Sequence, residues 1–386
     1  MYRIGQKEID AIARSIRSGK LFRYDRASQC ARFEYRYAKY LDVKHVTMTS
    51  SGSAALSAAL AGVSIGPGDE VIVPAHTYMA TAAAVLAVGA IPVIVDIDES
   101  ITLDPSAFEA AIRSRTKAVI PVHMWGAVCD MKSIVRIARR HKLKIIEDAC
   151  QCIGGAYEGK MVGTIGHAGA YSFNYFKHIT CGEGGAVVTN QDSVARRALC
   201  MVDGCQFYWT GRKSDFQPFI SAGSRASEIE GAMLNAQLPR LPGIIRALRR
   251  QKKRVLRETA DSGLTPTPIR SPDQECAAKV MYLLPTAKQG QRFGKLTSAT
   301  IAGQTGRHTY NEWDPILTKR GAHHPALDPF KLPQNRRCRM NYRKDMCPQS
   351  LDILNRTVMI SLNPDDGPTQ VNSLIRRIRR AAGSVL

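Results

Sequence analysis

Residues 45–63 read "HVTMTSSGSAALSAALAGV", and this stretch decides how the chain folds. It begins as a short β-type run and continues with the small apolar residues and the length of a helix. The same alternation continues along the chain. Further apolar runs begin at residues 70, 91, 118, 144 and 185, and read "EVIVPA", "IPVIVDI", "AVIPVHM", "KIIEDAC" and "GAVVTN". Because strands that alternate with helices are typical of βαβ units, we predict an α/β lobe built on a mostly parallel sheet.

The length of the chain predicts a globular protein with two lobes. Its 386 residues exceed the roughly 250 to 300 at which a single core stops growing. We place the boundary near residue 245, with a large domain over 1–245 that starts in a helical segment, and a smaller domain over 246–386. No apolar run reaches the roughly 18 residues of a membrane span, and the first residues alternate apolar and charged positions. We therefore expect a cytoplasmic protein.

The charge is strongly positive, with 54 Lys and Arg against 33 Asp and Glu and a net charge of +21. Much of the excess lies in 246–258, 334–344 and 374–382. Nucleic acid or an anionic small molecule would suit such a chain. No zinc-finger, helix-turn-helix or RNA-binding signature accompanies the charge, so we expect a solvated surface and no nucleic-acid site.

Chemically useful residues follow the predicted strands, where loops and helix N-termini of an open sheet collect ligands. Gly52 and Ser53 open the first helix and suit a phosphate, although an ordinary helix start has the same pattern. Tyr78 follows the second run and can stack on a flat ring, or simply pack. Glu147 and Asp148 end the fifth run, where a carboxylate needs a cation as its partner or caps the next segment.

Residues 171–185 read "YSFNYFKHITCGEGG" and place Lys177 between aromatic residues and glycines. A surface lysine that extends its amine into water is one explanation. The other is an amine that Phe173, Tyr175 and Phe176 shield from water, and that forms a Schiff base with an aldehyde. A phosphate site, a stacking ring, an acid and such a lysine are together what pyridoxal phosphate needs, so we predict this cofactor.

Three segments carry a resemblance to a known family: "FEYRYAKYLDVKHVTMTSSGSAAL", "EDACQCIGGAYEGKMVGTIGHAGAYSF" and "KHITCGEGGAVVTN". They resemble the DegT/DnrJ/EryC1/StrS sugar aminotransferases, which have the fold type I architecture of aspartate aminotransferase. The resemblance implies a large α/β domain, a smaller C-terminal α+β domain and a homodimer with shared active sites. It makes Lys177 the Schiff-base lysine and Asp148 the partner of the pyridine nitrogen. It also implies these cofactor contacts: Gln151 at the ring hydroxyl, Tyr78 on the ring face, and Gly52, Ser53 and Ser172 at the phosphate.

Two segments depart from the pattern of the family. Gly223, in "GSRASE", stands where the family usually has an asparagine that reaches the phosphate across the dimer interface, while Arg225 remains for such a contact. Segment 308–333 replaces a short linker. It contains three histidines that we expect to contact substrate: His308, His323 and His324. No carboxylate spacing supports a metal there, so we predict none.

The resemblance implies amino transfer from glutamate or glutamine to a keto sugar, either nucleotide-linked or phosphorylated, or to a related cyclitol ketone. Such reactions belong to the biosynthesis of amino sugars, antibiotics or surface polysaccharides. A sugar dehydratase of the same family is one alternative, because such relatives replace the lysine with histidine; here the spacing to "GEGG" puts Lys177 in that position, and not His178. A DNA-binding regulator on this fold is the other, supported by the positive charge.

Overall fold

The computed structural model describes residues 4–25, 27–209 and 217–386. Its strands are β1 His45–Thr49, β2 Glu70–Pro74, β3 Ile91–Val95, β4 Thr116–Val119, β5 Lys144–Asp148, β6 Ala156–Tyr157, β7 Lys160–Met161, β8 Ala168–Ser172, β9 Gly185–Thr189, β10 Thr265–Pro266, β11 Lys279–Leu283, β12 Thr300–Ile301 and β13 Thr357–Ser361. Its α-helices are α1 Gln6–Ser18, α2 Gln29–Leu41, α3 Gly52–Gly62, α4 Ala80–Ala87, α5 Pro105–Ala110, α6 Met131–Arg140, α7 Asp192–Val202, α8 Glu228–Gln237, α9 Leu241–Glu258, α10 Ala287–Thr297, α11 Asp314–Leu317, α12 Pro348–Arg356 and α13 Pro368–Val385.

Seven strands form the central sheet, in the order β1-β9-β8-β5-β4-β2-β3. The neighbours from β8 to β3 pair in parallel, whereas β9 runs against both β1 and β8. The predicted α/β fold with a mostly parallel sheet is therefore confirmed. We did not predict β8, because its sequence "AGAYS" is poor in β-branched residues. Gly169 in this strand passes so close to the Gly163 carbonyl that a Cβ atom would overlap it.

The helices of the first lobe bury their apolar sides against this sheet. Helix α3 packs on α7, β8 and β9, and it is apolar on nearly all sides, as expected for a helix inside a core. Helix α6 is amphipathic, and its Ile134 and Ile137 join the core around β4 and β5. No helix in the three described ranges has both the length and the apolar character that crossing a bilayer requires.

The second lobe has a four-stranded antiparallel sheet in the order β10-β11-β13-β12. Helix α9 joins the two lobes, because its Leu241 and Ile245 belong to a first-lobe core, while Leu248 and Val255 belong to the core of the second. The predicted boundary at residue 245 thus falls inside a continuous helix. The division into 1–245 and 246–386 stays a prediction.

Segment 308–333 packs along the first lobe, from the edge formed by the carboxyl ends of the parallel strands (the carboxyl edge) to the edge formed by their amino ends (the amino edge). Near its start, the backbone N–H of Tyr310 donates to the carbonyl of Ala75 at 3.0 Å, just beyond the carboxyl end of β2. Directly after it, the Asn335 amide donates to the carbonyl of Gly89 at 2.9 Å, before the amino end of β3. The segment is therefore folded against the first lobe.

Candidate active site

Most of the predicted site residues meet at the carboxyl edge of the central sheet. Gly52 follows β1, Asp148 ends β5 and Ser172 ends β8. Because β9 runs in the opposite direction, its first residue, Gly185, reaches the same edge and pairs with the last residues of β1 and β8. The loop that carries Lys177 connects β8 to β9 and so starts and ends at this edge.

A tight turn at the start of α3 forms one side of the site. The hydroxyl of Ser51 accepts a hydrogen bond from the backbone N–H of Ala54 at 3.1 Å and caps the helix. A Cβ atom at position 52 would lie 2.8 Å from Cβ of Ser172 and 2.9 Å from Sγ of Cys150, so only glycine fits. The N–H groups of Gly52 and Ser53 precede the first intrahelical hydrogen bond and can therefore face an anion. Gly52, the buried Ser172 and the exposed Ser53 are therefore together at this turn.

The carboxylate of Asp148 is buried, with an exposed fraction of 4%, and is held in one orientation. Its Oδ2 atom accepts from the hydroxyl of Thr81 at 2.8 Å, and its Oδ1 atom accepts from the backbone N–H of Cys150 at 3.1 Å. The hydroxyl of Thr81 is in turn 2.6 Å from that of Thr77. Two hydrogen bonds leave further lone pairs on the carboxylate for a cationic partner.

Glu147, the other carboxylate of this strand end, has a different role. Its side chain is fully buried and accepts hydrogen bonds from the backbone N–H groups of Gly163, Ile165 and Gly166 at 2.6 to 2.7 Å. Its Oε2 atom also lies 3.2 Å from Nε2 of His123. Glu147 therefore fixes the loop before β8, and both of its carboxylate oxygens are occupied by these contacts.

The loop around Lys177 is closed by its own polar residues. The amide of Asn174 donates to both oxygens of Glu183, at 2.9 and 3.1 Å, and the backbone N–H of Lys177 donates to the carbonyl of Asn174 at 3.0 Å. The glycines allow this closure, since Gly182 has a φ of +90° and Gly184 a φ of +152°.

The shielding of Lys177 differs from our expectation. Lys177 is half-buried, and only Phe173 of the three aromatic residues lies in the core. Tyr175 and Phe176 are 53% and 66% exposed. The prediction that all three aromatic side chains shield the amine is therefore wrong within a single chain, because the loop turns outward after β8.

The positive charge of Lys177 acts on two side chains of the site. Burial raises the pKa of the Cys150 thiol well above its usual value; nearby Asp148 adds to this rise, and Lys177 opposes it. Burial also lowers the pKa of His308 to about 4, and the charges of Arg307, Lys177 and Lys279 lower it further. Lys177 therefore faces the end of β5 on one side and segment 308–333 on the other.

A wall of aromatic rings stands beside the site. The ring of His308 lies 5.6 Å from that of Tyr78 and 5.2 Å from that of Trp125, and His76 lies 4.7 Å from Trp125. Trp125 has a φ of +48°, a left-handed conformation that is strained for a bulky residue. The cation of Lys279 lies 5.8 Å from the Trp125 ring, so the second lobe also reaches this wall.

Two ring nitrogens of this wall are buried without a hydrogen-bond partner in the described part of the chain. They are Nε2 of His76 and Nδ1 of His308. Burial lowers the pKa of His76 to about 3, so its ring is neutral. Its Nδ1 atom lies 3.0 Å from the carbonyl of Ile101 and must donate to it, which leaves Nε2 as an acceptor. Such unpaired polar atoms at a cleft are suited to a ligand.

Two other predicted residues lie at the border of the site. Gln151 follows Asp148 by three positions and is half-buried. Arg225 pairs with the end of β1 through a bridge to Thr49, and its guanidinium lies 3.2 Å from Asp203. Gly223 has a φ of +80°, a conformation that suits glycine.

The three histidines of segment 308–333 are not brought together. His308 joins the aromatic wall, whereas His323 and His324 are exposed on the part of the segment that leads to the amino edge of the sheet. The Nδ1 atom of His324 accepts from the backbone N–H of Ala326 at 3.1 Å. No group of three His, Cys, Asp or Glu side chains in the described ranges is arranged to hold a metal.

Four residues of this site were not predicted: His76, Thr81, Trp125 and Lys279. Two of them had a signal, because His76 and Trp125 follow apolar runs in "AHTY" and "HMWG". Thr81 lies in the first turn of α4, and Thr77, whose hydroxyl it meets, lies before that helix. Lys279 comes from a strand of the second lobe, and no local pattern links it to this site.

Comparisons with known proteins agree with this geometry. Residues 2–379 match the model of the DegT/DnrJ/EryC1/StrS aminotransferase family. Over 214 residues the chain is 42% identical to GDP-perosamine synthase of Caulobacter vibrioides, a match that covers 54% of this chain and 56% of the relative. It is 45% identical over 172 residues to L-glutamine:2-deoxy-scyllo-inosose aminotransferase of Streptomyces lividus, which covers 44% of this chain and 41% of the relative.

A solved structure matches over more of the chain. The crystal structure of DesV from S. venezuelae is 28% identical and superimposes with a TM-score of 0.74, covering 97% of this chain and 94% of that chain. The chain spans about half the length of the curated relatives it matches.

Proposed function

This chain belongs to the DegT/DnrJ/EryC1/StrS aminotransferase family, and from that premise we propose that it is a pyridoxal-phosphate-dependent aminotransferase. The observation that carries the proposal is the convergence of three features at one sheet edge. These are the turn at Gly52, the buried carboxylate of Asp148 and the amine of Lys177. They supply an anion site, an acid and a nucleophilic amine, which this cofactor requires together.

The side chains at this edge fit the cofactor. The turn at Gly52 excludes any Cβ atom and offers N–H groups and the Ser172 hydroxyl to a phosphate. Asp148 keeps lone pairs for a protonated ring nitrogen. Tyr78, which is 42% exposed, is available to stack on the ring, and Gln151 would contact the ring hydroxyl. Arg225 would reach the phosphate of the neighbouring subunit.

When bound, pyridoxal phosphate supplies an electron sink for the substrate carbon that loses a proton. Asp148 would hold the proton on the ring nitrogen, because a buried carboxylate stabilises a nearby positive charge strongly. Lys177 would hold the cofactor before the reaction and then move the proton at the substrate carbon in both halves of amino transfer. The neutral His76 and His308 would accept or donate hydrogen bonds to the substrate without adding charge.

We propose a ketone of the sugar or cyclitol class as the amino acceptor, and glutamate or glutamine as the donor. The names of the two curated relatives, a GDP-perosamine synthase and a glutamine-dependent inosose aminotransferase, support this class. A nucleotide-linked or phosphorylated keto sugar would be attracted by the net charge of +21, so its kcat/KM should fall as salt rises. A neutral cyclitol ketone should show no such fall.

We propose a homodimer in which the partner subunit completes the site. Lys177 is half-buried, and Tyr175 and Phe176 beside it are exposed, so this chain alone leaves the loop open to water. Other exposed apolar residues include Ile9, Ile16 and Tyr35 of α1 and α2. Sedimentation and activity measured on the same dilution series test this proposal, and a fully active monomer would refute it.

Two other functions share this fold and predict different products. A dehydratase would release water from the sugar and transfer no nitrogen, and a regulator would bind DNA and turn over neither substrate. The decisive experiment supplies the holoenzyme with nitrogen-15-labelled glutamine or glutamate and a panel of keto sugars and cyclitol ketones. Mass spectrometry should detect the label in an aminated product. A dehydrated product without label, or a salt-dependent gel shift without turnover, would replace our proposal with one of the alternatives.

A further inference from the structure

A basic cleft lies at the amino edge of the central sheet, away from the candidate active site. It has a volume of about 650 Å³, and we call it the amino-edge cleft. Its floor is formed by residues 67–70, directly before and at the start of β2. Five cationic side chains line it: Arg113, Arg115 and Lys117 at the start of β4, and Arg337 and Arg339 after segment 308–333.

The cleft carries an excess of positive charge. Its two carboxylates are Asp69 and Glu70, so five cations face two anions and leave an excess of three. Glu70 is already bound by Arg339, whose Nε and Nη2 atoms donate to it at 3.1 and 2.7 Å. One oxygen of Asp69 accepts from the backbone N–H of Gly66 at 3.0 Å.

Two of the remaining cations are held in place by backbone carbonyls. Nη1 of Arg115 donates to the carbonyl of Gly68 at 3.2 Å, and Nζ of Lys117 donates to that of Ser114 at 2.9 Å. Each side chain has further N–H donors, since a guanidinium carries five and an ammonium three. Holding like charges together in one cleft costs free energy, which an anion in the cleft would offset.

The lining indicates the chemistry of that anion. A guanidinium group can donate two parallel hydrogen bonds to two oxygens of one phosphate. Three of the five cations are arginines that form no ion pair with a carboxylate in the described ranges: Arg113, Arg115 and Arg337. The cleft has the volume of a small-molecule site, about 300 to 1,000 Å³. Its lining includes no aromatic ring on which a base would stack. Two phosphate groups, each with a charge of about −1.5 to −2, suit the excess of three positive charges.

We propose that the amino-edge cleft binds a diphosphate group, either free or as part of a nucleoside diphosphate. This site is separate from the proposed active site, because β2 starts at the cleft with Glu70 and ends at the opposite edge before Tyr78. A strand of five residues spans about 17 Å. The binding does not depend on the proposed aminotransferase activity, and it gives part of the net charge a role.

Isothermal titration calorimetry of the holoenzyme with sodium diphosphate at low salt tests the proposal. The double variant Arg113→Ala/Arg337→Ala should bind at least tenfold more weakly, and binding to the wild-type protein should weaken as salt rises. The matched control is Arg376→Ala/Arg377→Ala on α13, which removes the same charge from exposed positions of the other lobe. It should keep the wild-type affinity. Amino-transfer activity should be unchanged in both variants, because none of these residues belongs to the proposed active site.

Three outcomes would overturn the proposal. They are no diphosphate binding to the wild-type protein, unchanged binding to the cleft variant, and equal weakening in both double variants. The single variant Arg337→Glu gives the same information if the double variant unfolds. Uridine diphosphate distinguishes the two sources of the group. Equal affinity for uridine diphosphate and diphosphate indicates the free anion, and tighter binding of the nucleotide indicates further contacts to its nucleoside.

Discussion

The two edges of the central sheet use buried carboxylates differently. At the amino edge, Glu70 is 2% exposed and is bound by Arg339 through its backbone N–H at 2.8 Å and through its guanidinium. At the carboxyl edge, Asp148 is buried to a similar degree, but its partners are the Thr81 hydroxyl and a backbone N–H, and no cation in the described part of the chain pairs with it. A buried carboxylate that has a cation and all its hydrogen bonds stabilises the fold, whereas a buried carboxylate without a cation is available to a positively charged group of a ligand.

The same contrast holds for other polar groups. At the carboxyl edge, ring nitrogens of His76, His178 and His308 are buried without a hydrogen-bond partner in the described ranges, and Trp125 is strained. Glu147 lies next to Asp148 in sequence but resembles Glu70, because its buried carboxylate already has its hydrogen-bond partners within the chain. Unpaired buried nitrogens and a strained tryptophan are thus present where we propose the chemistry.

The largest expected effect on stability comes from breaking the pair at the amino edge. Arg339→Met should lower the free energy of unfolding by about 3 kcal/mol or more, because it leaves the carboxylate of Glu70 buried without a cation. Chemical denaturation measures the change, and kcat of the folded fraction should remain normal. Arg343→Met is the control, since its pair with Asp345 is exposed, and it should leave stability unchanged. Equal stability of the two variants would contradict the account of Glu70.

Asp148→Asn is the corresponding change at the carboxyl edge. It should lower turnover by roughly 100-fold, about 2.7 kcal/mol, because a neutral amide no longer stabilises a protonated ring nitrogen. The free energy of unfolding should change by less than about 1 kcal/mol, because the amide keeps the size and the acceptor oxygen of the carboxylate. Steady-state kinetics and denaturation measure the two effects. Normal turnover would remove Asp148 from this role.

The neutral His76 predicts a dependence of stability on pH. Its pKa is about 3 in the folded chain, below the value of about 6.5 of an unfolded histidine, so the unfolded state binds more protons between these values. Its contribution to stability is therefore complete above pH 6.5 and falls as pH falls. Between pH 7 and pH 5 this histidine should account for a loss of about 2 kcal/mol. His76→Gln should lose correspondingly less over this range, and parallel curves for both proteins would show that His76 is not the titrating group.

The smallest expected effect comes from Thr81, which orients Asp148. Thr81→Val removes the hydroxyl but keeps the shape, so turnover should fall roughly 10- to 20-fold, about 1.5 kcal/mol, which corresponds to the lower end of the range for one hydrogen bond to a charged group. Thr81→Ser keeps the hydroxyl and should retain most of the activity. If valine and serine have the same effect, the hydrogen bond to Asp148 does not contribute.

Most of the fold and the centre of the site were predictable from the sequence, because both depend on local patterns. Six of the seven strands of the central sheet are apolar runs. Gly52 follows one such run, Asp148 lies at the end of another, and the aromatic residues and glycines around Lys177 single it out. Strand β8 was missed because close backbone contact at Gly169 determines it, and not side-chain propensity. Long-range packing also determines the position of Lys279, the route of segment 308–333 and the outward turn of Tyr175, so no local pattern could predict them.

The central claim is that Lys177 holds the cofactor at the carboxyl edge, and borohydride reduction of the holoenzyme followed by peptide mapping tests it most directly. We predict that the reduced cofactor is found on the peptide that contains Lys177. Lys177→Ala should yield no labelled peptide, whereas Lys160→Ala, a change on an exposed hairpin strand, should be labelled like the wild-type protein. A cofactor that is reduced onto another lysine, or onto the Lys177→Ala protein to the same extent, would contradict the account.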